Sequence, residues 1–398
     1  MANSLLTPTA VTREALRVLH QKLTFVGSIN RQYDDSYAVN GAKIGDSLKI
    51  RLPNEYTTGT GNVMTAQDTS ESSVTMTVGT QRWVGMNFTA AERTLSLDDF
   101  SQRVIEPAMA RLAANIEADA LSMYKNVYNL SDEDGTAFTL LSVLKGRKIL
   151  NDNLTPLDNN RTALLSTAHQ VKLIDAVKGL FHDGNAIEKQ YREGKIGRTA
   201  GFDFYESTLV NDHTTGTATT GDTLYNVNGA NQTGSSLTVD TGTTTFLIGD
   251  VITLAGCNRV HPETKADTGQ LQTFVITANS GTSATTLEIS PAIVVTGPTQ
   301  NVSASPTTTG AVSKLGGGNA ALVNSSMVYH RDAFAIAFAD LAMPKGVDFS
   351  ARETYDGISM RIVRDYDVVN DKFPCRVDVL YGYKAIRPQL ACRVHADG

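Results

Sequence analysis

The stretch Gly249-Asp250-Val251-Ile252-Thr253-Leu254-Ala255-Gly256 decides the fold. A Gly-Asp turn signal delivers a short run of β-branched and apolar side chains, and a second glycine ends it. Residues 236–239, 271–277 and 286–289 repeat the pattern, each bounded by Gly, Asn, Asp or Pro. Short strands at that spacing predict a small antiparallel barrel or sandwich. Composition shifts with them. Residues 207–310 hold 26 of the 47 threonines, seven acidic residues and only two basic ones, Arg259 and Lys265. A Thr-rich, acidic all-β block in mid-chain, over 207–310, reads as an insertion, with 303–318 (Pro306, Gly316-Gly317-Gly318) as its exit linker.

On the N-terminal side the pattern is mixed. Residues 8–26 carry a helical apolar stripe, with Pro8 in the first turn and Arg13 and Arg17 on the opposite face. That face is either solvated or laid against an acidic partner or a packaged polyanion. Leu48, Ile50 and Leu52 alternate, as do Val74, Met76 and Val78, then Val84, Met86 and Phe88. Between the first two runs lie twenty residues, 54–73, rich in Thr, Gly, Asn and Ser. The three runs predict a long hairpin with a functional tip, and Trp83 on its return strand anchors it to the body or to a neighbouring subunit. A helix over 97–128 follows, roughly 45–50 Å long at about 1.5 Å per residue, kinked by Pro107.

Residues 141–151, 168–181 and 185–192 read as helices and 163–165 as a buried strand. Beyond the insertion the pattern gives a strand at 327–329, an Ala/Phe-rich helix at 331–341 stopped by Pro344, and strands at 358–362, 376–383 and 390–394. The body is therefore mixed α+β, interrupted by an all-β domain.

Chemistry is hard to find. The 398 residues carry net charge −6 and are 19% charged and 41% hydrophobic, enough for two or three domains but unsuited to a basic nucleic-acid-wrapping face. Outside 207–310 the chain is close to neutral, with 33 basic and 34 acidic residues. Cys257, Cys375 and Cys392 are odd in number and widely spaced, which excludes a disulfide framework or zinc ribbon. Without a secretory pattern or an apolar run near 20 residues, the expectation is a soluble chain made in a reducing cytosol. His330-Arg331-Asp332 lacks the other parts of a kinase loop, and His261-Pro262-Glu263 lacks the Cys-x-x-Cys of zinc deaminases. Both read as junctions or turns. The seven histidines stand singly, as surface or junction residues. With no catalytic, cofactor or metal residues assigned, the reading is of a structural protein and not an enzyme.

The order of elements, a basic arm, a long hairpin, a long helix, a mixed body and terminal strands, resembles a tailed-phage major capsid protein. That fold, shared with herpesviruses, is of the Hong Kong ninety-seven type. The inserted β domain narrows the resemblance to coat proteins of short-tailed phages of the P22 type. Tyr191-Arg192-Glu193-Gly194 with Ile196, Ala200-Gly201-Phe202-Asp203, the 249–256 stretch, and Leu380-Tyr381-Gly382 with Arg387-Pro388 are similar to family segments in the same order. Gly382 and Pro388 read as strand-boundary residues.

The resemblance implies an α+β capsid fold with an inserted all-β, barrel-like domain. It divides the chain into an N-terminal arm (1–40), an extended hairpin (41–95), a spine helix (96–130), apical and peripheral body (131–221 and 319–398) and inserted domain with linker (222–318). It implies self-assembly into hexamers and pentamers of an icosahedral shell around double-stranded DNA, in a virion put together in the host cytoplasm. Partners would be other copies, a separate scaffolding protein, a portal protein, DNA held without sequence specificity and a decoration protein, with no membrane. Trp83, Pro107, Arg13 and Arg17 are the candidate intersubunit residues. Residues 54–73 contain no Lys, so no covalent cross-link from the hairpin is expected. The alternatives are a shell enclosing enzymes in a microbial compartment, or a phage surface adhesin with a glycan-binding β domain.

Overall fold

The computed structural model describes residues 8–31, 46–58, 61–62, 66–68, 71–88, 105–177, 197–210, 212–219, 225–368 and 373–397. The chain divides into two compact units.

The first unit combines Met1–Leu52, Ser73–Leu121 and Phe334–Ile386. Helix α1 (Pro8–Lys22) buries Ala15, Leu16, Val18 and Leu19. It ends where the Leu23 N–H returns to the His20 carbonyl, and α2 (Phe25–Ser28) follows, so the single helix expected over 8–26 is two pieces. Strands β1 (Asp46–Arg51) and β2 (Ser73–Val78) pair antiparallel with Leu48 opposite Met76. Their apolar side chains meet Ala335 and Ile386.

Strand β3 (Thr80–Phe88) corrects the hairpin expectation. It pairs antiparallel along its whole length with β19 (Phe373–Ala385), Trp83 standing opposite Asp378, so Trp83 belongs to the larger sheet and β2 is the hairpin's return strand. That sheet runs β16 (Phe334–Ala339), β19, β18 (Ile358–Arg364), β17 (Phe349–Tyr355).

The helix expected over 331–341 is in fact a 3₁₀ turn, Arg331–Ala333, followed by β16. Five of its six residues are buried, so Phe-Ala-Ile-Ala-Phe-Ala shows no polar face, and periodicity alone cannot separate such a run from a buried helix. Gly382 is likewise not at a strand boundary. It lies inside β19, where an added Cβ would fall 2.3 Å from the Thr77 carbonyl oxygen, so glycine permits β2 to cross at backbone contact.

Helix α3 (Glu106–Leu121) ends before the far end of the expected spine. Winding tightens into a 3₁₀ turn over Ser122–Asn126, and a strand begins at Leu130, which ends helix well before 128–130. Residues 89–104, and with them the helix start near 97, lie outside the described residues.

The second unit combines Pro53–Ser72, Ser122–Ala333 and Arg387–Gly398. Its sheet has the order β4 (Leu130–Ala137), β20 (Ala391–Asp397), β15 (Ser325–His330), β5 (Arg161–Leu165), β7 (Phe202–Glu206), β6 (Arg198–Thr199). Helices α4 (Leu140–Asp152) and α5 (Thr167–Val177) match the expected 141–151 and the start of 168–181. Val143, Leu150 and Leu173 pack with Leu165, Val328 and Val394 in one core. The helix expected at 185–192 falls outside the described residues.

Inside this unit, β8 (His213–Thr214) pairs with β14 (Leu322–Val323) at the root of the insertion. The insertion is an antiparallel sheet ordered β13 (Val312–Leu315), β10 (Val251–Val260), β11 (Asp267–Ile276), β12 (Thr286–Ile293), β9 (Gly234–Thr238). The stretch read as exit linker thus contributes β13. The two edges are joined by one short segment. Val227 N–H donates to the Gly310 carbonyl (2.9 Å) beside β13, and Asn228 N–H to the Thr238 carbonyl (3.0 Å) on β9. The sheet closes into a barrel around Tyr225, Leu237, Phe246, Leu254, Phe274 and Leu287, with β13 and β9 both paired to that segment.

Candidate assembly surfaces

In the first unit, Trp83 on β3 is 59% exposed, with Tyr355 exposed to a similar degree. Gly85, two residues on along the same face, has an indole carbon 3.3 Å from where its Cβ would stand, so glycine leaves room for the ring to lie along the strand. Arg376 sits over the indole at 5.1 Å, a cation–π contact. Beneath, the buried Asp378 carboxylate accepts from Arg361 (2.7 Å), Arg376 (2.9 Å) and Gln81 (2.8 Å). Fixed charge below and a rigid indole above make a preorganised contact point. Covering the exposed part of a Trp on a partner is worth about 3 kcal/mol at roughly 25 cal/mol per Å².

The sheet is clamped to α3 next to this point. Arg82 binds Asp119 through two bonds, 2.9 and 2.8 Å, and the Tyr381 hydroxyl donates to the same carboxylate. Burial raises the Tyr381 phenol, so it stays a donor. Two residues earlier on the helix, the buried Glu117 carboxylate accepts from Phe25 N–H (3.1 Å) and Val26 N–H (3.2 Å), satisfying the start of α2. Burial pushes Glu117 up to about 7 despite those bonds.

The remaining candidates sit elsewhere in this unit. Arg13 faces Glu353 of β17 at 3.6 Å, and Arg17 binds Glu14 of its own helix at 2.6 Å, so both cations have acidic partners within the chain. Pro107 is the second residue of α3, and the π-helical Ile105 precedes it, so the chain is already wound before the proline. The structure therefore does not gather Trp83, Pro107, Arg13 and Arg17 into one patch of contacts.

The second unit holds a cluster that sequence spacing gave no sign of. Tyr124 OH donates to His213 Nδ1 (3.3 Å), and His213 Nε2–H donates to Asp250 (3.0 Å). The second Asp250 oxygen accepts from Gly216 N–H (3.0 Å) and Leu247 N–H (2.8 Å). His395 lies 6.2 Å from the His213 ring, and Arg393 is 5.9 Å from the Tyr124 ring. Neither Arg393 nor His395 has a side-chain hydrogen-bond partner among the described residues.

The triad has the look of a proton relay. Yet Tyr124, His213 and Asp250 are 9%, 2% and 1% exposed, so it works as a buried fastening of the Ser122–Asn126 turn to the barrel root. Burial, and then the neighbouring Arg393 charge, holds His395 well below the usual histidine range. Burial also lowers His213 and His169, and it draws the Arg393 guanidinium down to about 10. These histidines sit on β8, β20 and α5, brought together by topology, so no reading of spacing could have joined them.

Other features follow the sequence reading more closely. His330 is buried at a junction against Asp158 (3.0 Å), and His261 opens a turn closed by Lys265 N–H. The three cysteines are buried and unpaired, their thiols pushed up to about 12 by burial. Among the described residues no group of His, Cys, Asp and Glu could hold a metal ion, and no helix is long and apolar enough to cross a membrane.

Comparison with curated protein sequences returned no match. Among solved structures, the chain is similar to one from Mycobacterium phage Che8, at 10% identity and TM-score 0.48, covering 93% of this chain and 90% of that one. It is similar to the mature capsid of bacteriophage PhiM1, at 11% identity and TM-score 0.42, covering 92% and 87%. A virus-like particle from Pyrococcus furiosus is similar at 6% identity and TM-score 0.41, covering 97% and 98%. The family profile described as P22 coat protein, gene protein 5, matches residues 28–393, from α2 through the inserted barrel to β20. This chain belongs to the P22 coat protein family.

Proposed function

We propose that this protein is a major capsid protein whose copies form hexamers and pentamers of an icosahedral shell enclosing double-stranded DNA. The observation that carries the reading is the family match over residues 28–393, because the inserted barrel falls inside the matched region. The molecule's physical character supports it. A two-stranded β1–β2 pair is marginal alone and gains from a neighbour's cover. Trp83 offers such a neighbour a rigid aromatic contact, and symmetric repetition multiplies modest contacts into a stable shell.

The near-neutral composition outside the insertion suits a container lining that tolerates DNA without gripping it. The β1–β2 hairpin, residues 46–78, would reach a neighbouring copy, while scaffolding, portal and decoration proteins would be separate chains. The outer face of α1, with Arg13 and Arg17, and the turn at Pro107 are secondary contact candidates. Co-expression with the adjacent scaffold gene, followed by negative-stain microscopy, tests the reading. Uniform closed particles tens of nanometres across are expected; monomer under every assembly condition would overturn it.

A further inference from the structure

A groove of about 290 Å³ opens between α4 and the barrel strands β10 and β11. Lys148, Asn151 and Asp152 line one wall, and Arg259, His261 and Gln270 the other. Its hydrogen bonds are unevenly spent. The Asp152 carboxylate already accepts from Lys148 Nζ (3.1 Å) and Arg259 Nη2 (3.1 Å). Asn151 Oδ1 accepts from Arg161 (2.8 Å), which leaves the Asn151 amide N–H groups over. His261 Nδ1 accepts from the backbone N–H groups of Glu263 (3.3 Å) and Thr264 (3.2 Å), which fixes the ring proton on Nε2. The Gln270 side chain has no partner among the described residues.

One Asp152 oxygen is shared by both cations, the other Asp152 oxygen and Gln270 Oε1 stay open, and the Asn151 amide, His261 Nε2–H and Gln270 amide donors are unspent. Two permanent cations stand against one carboxylate. The charge is also out of place, because Arg259 is one of only two basic residues in the acidic stretch 207–310. The other, Lys265, faces Glu55 at 3.8 Å and the Gln300 carbonyl at 3.2 Å, outside this groove.

We propose that this groove is a binding site for an oxyanion, a carboxylate or a phosphate. Lys148 and Arg259 supply the charge, and the Asn151 amide, His261 Nε2–H and Gln270 amide supply directed donors. The volume exceeds that of a bare ion and admits an acidic side chain with part of its backbone. Arg259 carries a second consequence. Because it is held by Asp152 of α4 when the site is empty, an incoming anion competes with Asp152 for it.

Isothermal titration of the full chain with sodium phosphate, and separately with a hexaglutamate peptide at matched ionic strength, tests the site. Phosphate alone binding identifies a free oxyanion, hexaglutamate alone an acidic polypeptide segment, and either supports the proposal. Lys148→Met and Gln270→Ala together should weaken binding about tenfold or more. Both positions are exposed, so the variants should melt with the wild type. Asp152→Asn, which releases two donors, should tighten binding several-fold. Lys172→Met removes the same charge from an exposed position on α5 outside the groove and should change nothing. Binding of neither probe at about 10 mM, or an equal loss with Lys172→Met, overturns the proposal.

Discussion

The inserted barrel and the sheet of the first unit solve the same problem in opposite ways. The barrel joins both sheet edges through the Tyr225–Asn228 segment and packs sixteen buried residues around its own axis. The first unit also buries a core, including Leu19, Phe25, Met109, Ile116 and Ile358, but among the described residues β1 pairs with β2 alone, and Trp83 and Tyr355 are more than half exposed. A domain that closes its own edges is finished as a monomer. One that leaves an aromatic and a thin ribbon outside is finished by its neighbours, and this is the division of labour a shell protein needs.

The largest expected effect tests whether the barrel's core is its own. Phe274→Ala removes a fully buried ring from the barrel centre and should cost about 3–5 kcal/mol. Hydrogen exchange should show the loss across β9–β13 while α1 and β16–β19 keep their protection. Equal loss in both regions would break the comparison.

Acidification should separate the two regions by sign. Glu117 is raised to about 7 in the folded first unit, so between its unfolded value near 4.5 and 7 the native state binds the extra proton. Stability of that unit should then rise by about 2–3 kcal/mol as pH falls from 7 to 4.5. In the second unit His395, His213 and His169 are lowered, so below about 6.5 the unfolded chain binds more protons and stability should fall. Exchange rates at pH 5.5 and 7.5, corrected for intrinsic chemistry, should move in opposite directions. Glu117→Gln should abolish the first trend, and His395→Leu should reduce the second.

Gly382→Ala comes next. A Cβ placed 2.3 Å from the Thr77 oxygen forces β2 away from β19, at a cost of about 1–3 kcal/mol seen as earlier melting of the first unit.

How much of this could be read from the residues depended on which physical rule governed each segment. The barrel was legible because its strands alternate and glycines punctuate them, and α4 because its apolar stripe is bounded by Thr139 and Asn153. Strand β16 was not, since Phe334–Ala339 is covered on both faces and carries no periodicity to separate strand from helix. Trp83 was read as an anchor to the body or a neighbour, but its strand was placed in the hairpin, because pairing of β3 with β19 spans almost three hundred residues of sequence. Gly382 was seen, and its reason was not, since close approach of β2 is a tertiary fact. The His213–Asp250 fastening and the groove at Arg259 likewise exist only once the barrel has returned to the body sheet.

The smallest expected effect on the isolated chain is that of Trp83→Ser. With two-fifths of the ring already covered and Arg376 over it, the substitution should cost the monomer about 1–2 kcal/mol. In the same variant, shell yield should drop severalfold, because each lost contact recurs at every copy. A strong loss of monomer stability would show that the indole serves its own unit.

The most direct measurement is a cryo-electron microscopy reconstruction of the assembled particle at side-chain resolution. The account expects a closed icosahedral shell in which the Trp83 indole and Arg376 are covered by a second copy while the barrel core is unchanged. A shell in which Trp83 faces open solvent in every copy, with the subunits joined through some other surface, would contradict it.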